Sequence, residues 1–453
     1  MIHELTRRRF LQAATSSVLA APFVSRGAAG VSPNSRLQHA SFGASGMAGS
    51  DIESLSAHPA FQLVAVADVD RRSLDTLKEK LKGRFPELRV YQDWRELLAK
   101  EAEKIDSVNV STPDHMHGPI GIAAVDLGKH AYVQKPLTHN LWECREITQR
   151  ARKKGVMSQM GIQVSSEFTE RFAVEIVQAG TIGKVKEVHT FSSKDWGDLA
   201  PVPTRIDTPP PHFDWNLWLG VAKDRPFIEG YYHPNVWRKR RDFGTATLGD
   251  MGCHIFSAWF RGLALTAPLS VKSTGPKPPN GTNWGLHGRV EYLFPGTQFT
   301  EGKTVRVTWY DGDSRPPGEI LTVIEKDQKD PSKPRKVPGQ GNIIVGTDGV
   351  MLHPHGGTPQ LFPRQKFADF KYPKLEPRDH YKEFIDKCLA GKDRPSANFD
   401  YAGPLSESVL LGCLASDFPN EVLEWNAAEL KIGNLEGANK LVKREYRKGW
   451  EIT

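Results

Sequence analysis

Three side chains in this 453-residue sequence have the types and spacing needed to move a proton off a hydroxyl group. Asp250 and His254 stand four residues apart, in Gly249-Asp250-Met251-Gly252-Cys253-His254. If the segment is helical, the two share a face. A histidine has an ordinary pKa near neutrality and can act as the base. Asp250 would orient the ring and bind a substrate hydroxyl. Lys135, in Gln134-Lys135-Pro136, can hydrogen-bond the reacting oxygen, stabilise a developing alkoxide and relay a proton. Lys135 and His254 can exchange the roles of base and polariser. Oxidising the carbon also requires a hydride acceptor, which a nicotinamide supplies.

A second group of residues is arranged for such a cofactor. Leu37–Phe42 reads as a strand, although Gln38, His39 and Ser41 make it unusually polar for a buried one. The turn Gly43-Ala44-Ser45-Gly46-Met47-Ala48-Gly49 follows, then a helix, then the apolar strand Phe61–Ala67, which ends at Asp68. Strand, glycine-rich turn, helix, strand and acid place a pyrophosphate at a helix N-terminus and a carboxylate on the ribose hydroxyls. The turn departs from G-x-G-x-x-G at its second and third glycines, which are Ser45 and Ala48. Asp68 favours NAD; Arg71 and Arg72 would offset it and leave NADP open.

The alternation then continues. Helices are expected at Arg71–Lys82, Trp94–Ala102, Pro119–Leu127 and Thr138–Lys154, with Gly155 as C-cap. Strands are expected at Arg89–Tyr91, Asp106–Val110 and His130–Val133. Such alternation implies a doubly wound parallel sheet that binds ligands at its carboxyl edge. Thr112, Pro113, His115, His117, Gln134 and Lys135 all follow strands at that edge. The predicted cofactor set is Gly43, Ser45, Gly46, Met47, Asp68, Arg72, Thr112, Pro113, His117, Gln134 and Lys135.

The strings Thr112-Pro113-Asp114-His115-Met116-His117, Gln134-Lys135-Pro136 and Gly249–His254 resemble the glucose–fructose oxidoreductase, inositol dehydrogenase and MocA family (Gfo/Idh/MocA). The resemblance covers essentially everything after residue 30. It is nearest to a twin-arginine-exported subgroup, through Asp214–Gly220, Asn398–Pro404 and Tyr446–Trp450. It implies an NAD(P)-dependent sugar or polyol oxidoreductase. It also implies a second domain with an open antiparallel sheet whose face often makes an oligomer interface, here a homodimer or homotetramer. The family's catalytic lysine matches Lys135, and its D-x-x-x-H pair matches Asp250 and His254. The acid of its E-K-P triplet is replaced by Gln134.

The N-terminus reads as an address. Thr6-Arg7-Arg8-Arg9-Phe10-Leu11-Gln12 is a twin-arginine pattern followed by a weakly apolar stretch and small residues. The expected division is a signal at 1–30, an NAD(P)-binding domain at 35–157 and a substrate and oligomerisation domain at 158–453. Export would place the protein in the periplasm or beyond, with a tightly held cofactor.

The remaining composition excludes other classes. A charge of +7 without a basic, aromatic-rich stripe gives no case for nucleic acid. No apolar stretch is long enough for a membrane span. The four cysteines lack zinc spacing, and Cys253 reads as a small buried residue. His115-x-His117 and Asp250-x-x-x-His254 lack a third ligand motif, so no metal is expected.

Between 196 and 243 runs a proline-rich, aromatic segment that is either a structured loop or an arm packed on a neighbour. Trp215 and Trp218 suit core packing. Trp237 and Arg238, just before the Asp250 motif, are the candidates for contacting substrate with Lys135, Asp250 and His254. Lys194, Arg238 and Asp242 are candidates for reading hydroxyls. Beyond it, strands are expected at Ser270–Ser273, Arg289–Phe294, Thr304–Tyr310, Ile343–Val345 and Val350–Leu352. Helices are expected at Glu167–Gln178, Asp379–Leu389 and Pro404–Leu414.

Three functions fit these residues. The first is an NAD(P)-dependent oxidoreductase acting on a sugar, polyol or glycoside. The second is a glycosidase that uses NAD transiently. The third is a non-catalytic sugar-binding protein.

Overall fold

Alternating strands and helices from Leu37 onward wind into a parallel sheet in the computed structural model, which describes residues 36–327 and 336–452. The expected signal at 1–30 lies outside the described residues. The strands are β1 (Leu37–Phe42), β2 (Phe61–Ala67), β3 (Arg89–Tyr91), β4 (Ser107–Val110), β5 (His130–Gln134) and β6 (Ser158–Gly161). The helices are α1 (Met47–Ser56), α2 (Arg71–Leu81), α3 (Trp94–Glu101), α4 (His117–Asp126) and α5 (Leu141–Lys154). All pairs are parallel, in the order β3-β2-β1-β4-β5-β6. The strand order reverses between β1 and β4, and the crevice opens there. β6 carries this sheet past the expected boundary at 157. It is short and follows Gly155, whose left-handed φ of 66° ends α5 as its glycine predicts.

The polar character of β1 has a structural cause. The His39 ring lies 2.7 Å from Ser107 Oγ and 3.0 Å from Asn109 Oδ1. Asn109 Nδ2 donates to Ser111 Oγ, and Ser111 Oγ donates to Asp51 Oδ2 at 2.6 Å. A buried polar ladder thus ties β1 and β4 beneath the crevice. Its members satisfy one another, as buried polar groups must.

The second half forms a nine-stranded sheet. Its strands are β7 (Val185–Ser192), β8 (Ser270–Ser273), β9 (Arg289–Pro295), β10 (Thr304–Asp311), β11 (Gln340–Gly346), β12 (Val350–Pro354), β13 (Gln360–Phe362), β14 (Val422–Asn426) and β15 (Lys431–Ile432). The order is β13-β12-β11-β7-β10-β9-β8-β14-β15, and every pairing but β7–β10 is antiparallel. The helices of this half are α6 (Phe168–Gln178), α7 (Trp215–Leu219), α8 (Ala246–Gly262), α9 (Gly318–Glu325), α10 (His380–Ala390), α11 (Phe399–Ala415) and α12 (Glu436–Asn439). α11 begins five residues earlier than its proline predicts. Asn398 caps it by accepting from the Asp400 amide, and Pro404 sits inside. α10 crosses back onto the first sheet, where Phe384 and Ile385 pack with Leu37, Ile52 and Leu55.

The segment 196–243 is a structured loop against the chain's own first domain. Arg71 N donates to His212 O and Asp214 N to Val69 O, at the end of β2. Phe213, Trp218, Phe227, Tyr231, Tyr232, Trp237 and Phe243 form a separate apolar cluster. Trp215 stacks on Trp218 with ring centroids 5.0 Å apart, as the Asp-Trp-x-x-Trp spacing suggests.

One buried acid makes stability depend on pH. Glu170 on α6 is 4 % exposed, and its Oε1 has no hydrogen-bond partner. Burial pushes its pKa from 4.5 up to about 8. Between those values the folded state binds a proton that the unfolded state has released. Stability therefore falls as pH rises through that window. Glu170→Gln should melt higher than the parent protein above pH ~8, with the difference shrinking below pH ~4.5. A difference in melting temperature that is independent of pH contradicts this.

Candidate functional site

The crevice at the switch point has a volume of about 370 Å³. Gly43, Ser45, Gly46, Met47, Asp68, Thr112, Pro113, His117, Gln134, Lys135, Trp237 and Arg238 all line it. Of the predicted cofactor set, only Arg72 does not. It sits in a shallow depression outside with Ser73 and Lys80, and its guanidinium lies 3.3 Å from Asp70.

The turn is built for close approach by a ligand. Gly43 has φ +107°, and a Cβ there would lie 2.7 Å from Ala48 Cβ and 2.8 Å from Ser111 O. Gly46 has φ +56° and precedes the first residue of α1, with open space where a Cβ would stand. No side chain caps the first amides of α1, which suits a pyrophosphate. Asp68 accepts from Ala44 N at 2.8 Å and Asp70 N at 2.9 Å. Burial pushes it up to about 6, while those two amides pull the other way. The residues present therefore fit a dinucleotide: a bare turn, a helix N-terminus and an acid at the end of β2.

Two residues assigned to the cofactor are engaged by the protein instead. Gln134, the last residue of β5, points under the crevice. Its Nε2 lies 3.1 and 2.9 Å from the two carboxylate oxygens of buried Asp51. Asp51 also accepts from Ser111 and from Tyr381 Oη at 2.8 Å. A glutamate at 134 would set a second carboxylate against Asp51, so the amide has a physical reason to be here. His117 is the other. Its Nδ1 is 2.8 Å from Pro136 O and its Nε2 is 2.8 Å from Thr112 O. The ring spans the two loops that follow β4 and β5, and neither nitrogen is free for a ligand. His115 is buried against Trp218 and Phe243.

At one end of the crevice, four donors converge on Asp250 of α8. Lys135 Nζ donates to Asp250 Oδ1 at 2.6 Å and to the Asp250 carbonyl at 2.7 Å. Arg238 Nε reaches Oδ1 at 3.3 Å. Lys194 Nζ lies 3.0 Å and Trp196 Nε1 2.8 Å from Oδ2. Burial alone would raise this carboxyl, but Lys135, Lys194 and Arg238 hold it well below the ordinary range. Its lone pairs are saturated, so it neither orients His254 nor has a site left for a substrate hydroxyl. Both of those expected roles are corrected. The spacing rule put Asp250 and His254 on one face, but the cations from other segments outcompete a neutral imidazole.

His254 is half-buried, and its Nδ1 has no partner. Its ring centroid is 5.8 Å from that of His355. Burial, then Lys135 and His355, push it well below its ordinary value, so it is neutral near pH 7. Asp242 leaves the site altogether. It pairs with Arg225 and borders a different cavity, with Arg241 and Arg444. Trp237 is buried, and Arg238 Cζ lies 4.3 Å from its ring centroid.

Sequence reasoning missed His355, Asp51, Asp114 and the role of Trp196. Asp114 is buried and accepts from Thr245 Oγ1 at 2.6 Å, which anchors the start of α8 over the crevice. Its signal was the Thr112–His117 string itself. Among the described residues, no group of three or more His, Cys, Asp or Glu is placed to hold a metal. No described helix is long and apolar enough to cross a membrane.

Comparison with known proteins places the first domain. Residues 38–162 match the Gfo/Idh/MocA model, described as an oxidoreductase family with an NAD-binding Rossmann fold. The chain is 30 % identical over 135 residues to a 1-carboxy-3-chloro-3,4-dihydroxycyclohexa-1,5-diene dehydrogenase of Comamonas testosteroni, covering 30 % of this chain and 32 % of that one. It is 28 % identical over 208 residues to glycosyl hydrolase family 109 protein 1 of Shewanella sp. strain ANA-3, covering 41 % and 45 %. The chain thus spans less than half the length of these curated relatives. Among solved structures, the aldose–aldose oxidoreductase of Caulobacter crescentus superposes with a TM-score of 0.57 at 16 % identity, over 86 % of this chain and all of that one. A levoglucosan dehydrogenase in complex with NADH gives 0.58 at 15 % identity, over 86 % and 99 %. These likenesses extend the shared fold to both domains.

Proposed function

We propose that this chain, whose first domain is an NAD-binding Rossmann domain of the Gfo/Idh/MocA oxidoreductase type, oxidises a hydroxyl of a sugar, polyol or glycoside. The observation that carries the reading is the Lys135–Asp250 pair. It joins the end of β5 in the cofactor domain to α8 in the second domain, at one end of the crevice.

The bound nicotinamide supplies the hydride acceptor. The chain supplies the rest. Gly43, Ser45, Gly46 and the start of α1 would hold the pyrophosphate, and Asp68 the ribose hydroxyls. Lys135 spends two of its three donors on Asp250, which fixes its ammonium and leaves one donor for the reacting oxygen. That donor stabilises charge as the hydroxyl proton leaves. His254, neutral near pH 7, takes the proton in this reading. Lys135 is 14 % exposed and Asp250 7 %, so water is largely kept from the pair.

A glycosidase that oxidises transiently is the second reading. The match to a glycosyl hydrolase family 109 protein, over 41 % of this chain, favours it. The same residues would serve it. Net redox change separates the two. The purified protein with added NAD is offered aldoses, polyols and aryl glycosides. NADH appearing with substrate consumption supports the oxidoreductase. Glycoside cleavage without net NADH supports the second reading. Neither event in protein that binds NAD contradicts both and leaves a sugar-binding role. Export by the twin-arginine route, encoded in Thr6–Gln12, and assembly into a homo-oligomer belong to this proposal. Export explains why the cofactor must be tightly held.

A further inference from the structure

Arg238 uses one of its three nitrogens. Nε reaches Asp250, while among the described residues nothing accepts a hydrogen bond from Nη1 or Nη2. The guanidinium is nonetheless held. Its Cζ lies 4.3 Å from the Trp237 ring centroid and 5.5 Å from that of Trp196, and the side chain lines the crevice. Such stacking fixes the plane of the fork and lowers the entropy lost when it binds. Lys194, 41 % exposed, spends one donor on Asp250 and keeps two free.

Lys135 and Arg238 on the crevice wall, with Lys194 and Trp196 beside them on Asp250, therefore offer donors and positive charge. Their one ionised acceptor, Asp250, is saturated. Three cations against one carboxylate leave an excess of two charges. Asp114, an acid of the same crevice, is buried, bonded to Thr245, and pushed up by that burial. A neutral sugar hydroxyl needs both to donate and to accept; set between Arg238 and Lys194, away from His254, its proton would find the Asp250 carboxylate already taken. An oxyanion only accepts. The pyrophosphate of the cofactor is not the occupant, because β5 lies two strands from β1, about 9–10 Å away.

We infer that the substrate is an acidic carbohydrate whose carboxylate or phosphate group takes the free fork of Arg238 and the ammonium of Lys194. Planar, bidentate pairing is what an arginine fork does best with either group. This rests on the carbohydrate oxidoreductase reading above and narrows its substrate class.

The test is calorimetric titration of the NAD-loaded protein with three pairs: glucuronate and glucose, galacturonate and galactose, and glucose 6-phosphate and glucose. At least one acid should bind roughly tenfold or more tightly than its neutral partner, a difference of ~1.4 kcal/mol. The uronate and phosphate arms separate the two sources of the anion. Arg238→Gln should bring the pair within about twofold, and Arg238→Lys should restore only part of the gap, since it lacks the fork. Lys194→Gln, at a half-exposed position, should reduce the preference without disturbing the fold. No acid binding more tightly than its neutral partner overturns the inference. So does an acid preference that survives both Arg238→Gln and Lys194→Gln. Failure of the parent reading looks different: the acid preference holds in binding, but no sugar changes the nicotinamide absorbance.

Discussion

Lys135→Met should lower kcat by roughly 10²–10⁴-fold while NAD remains bound. The lysine lines the crevice and makes the shortest contact there with α8. Its Nζ sits 2.6 and 2.7 Å from the Asp250 carboxylate and carbonyl. Methionine fills the same space, keeps the loop after β5, and removes only the donor. The pyrophosphate turn is two strands away and is untouched. KM for the sugar should change less than kcat, because the lost contact strengthens as charge builds on the oxygen. Steady-state kinetics on the substrate found in the panel, with cofactor content measured in parallel, checks this. A variant that retains more than about a tenth of kcat removes Lys135 from the chemistry.

Gly43→Ala should strip the protein of cofactor. Alanine disfavours a φ of +107°, and its Cβ would stand 2.7 Å from Ala48 Cβ and 2.8 Å from a backbone carbonyl. The backbone strain alone is of order 1–3 kcal/mol. Because the turn must shift to relieve it, NAD affinity should fall on the order of 10–100-fold. Stoichiometric NAD in the purified variant, at an unchanged melting temperature, contradicts this account of the turn.

The first domain was legible because each of its signals is local. Strand and helix alternate, Gly43 and Gly46 sit where the turn needs them, Asp68 ends β2, and Gly155 ends α5. The polar strand at 37–42 was legible as an oddity, but its cause was not. His39 is satisfied from Ser107 and Asn109, on a strand nearly 70 residues away. Gln134 illustrates the same limit. In the sequence it read as a departure from a motif and a cofactor contact; in the fold it is the partner that a buried Asp51 requires.

Asp250 stands beside Lys135 at the crevice, with neighbours other than the one expected. Its partners come from residues 135, 194, 196 and 238, and no spacing rule connects these. The rule that did apply, i to i+4 along α8, describes a shared face and not a hydrogen bond. Trp237 and Arg238 were found through their place just before that helix. Asp242 follows them closely yet points elsewhere, because Arg225 draws it away. The short strands β13 and β14 were missed for a simpler reason. One has three residues, and the other is half exposed, so neither carries enough apolar pattern.

The central claim is a dinucleotide crevice whose cofactor faces Lys135. Mass spectrometry of the small molecules released by denaturing the purified protein tests it most directly. The account predicts NAD or NADH at close to one equivalent per chain. Protein released without any nicotinamide dinucleotide, and unable to bind added NAD or NADH, would contradict it.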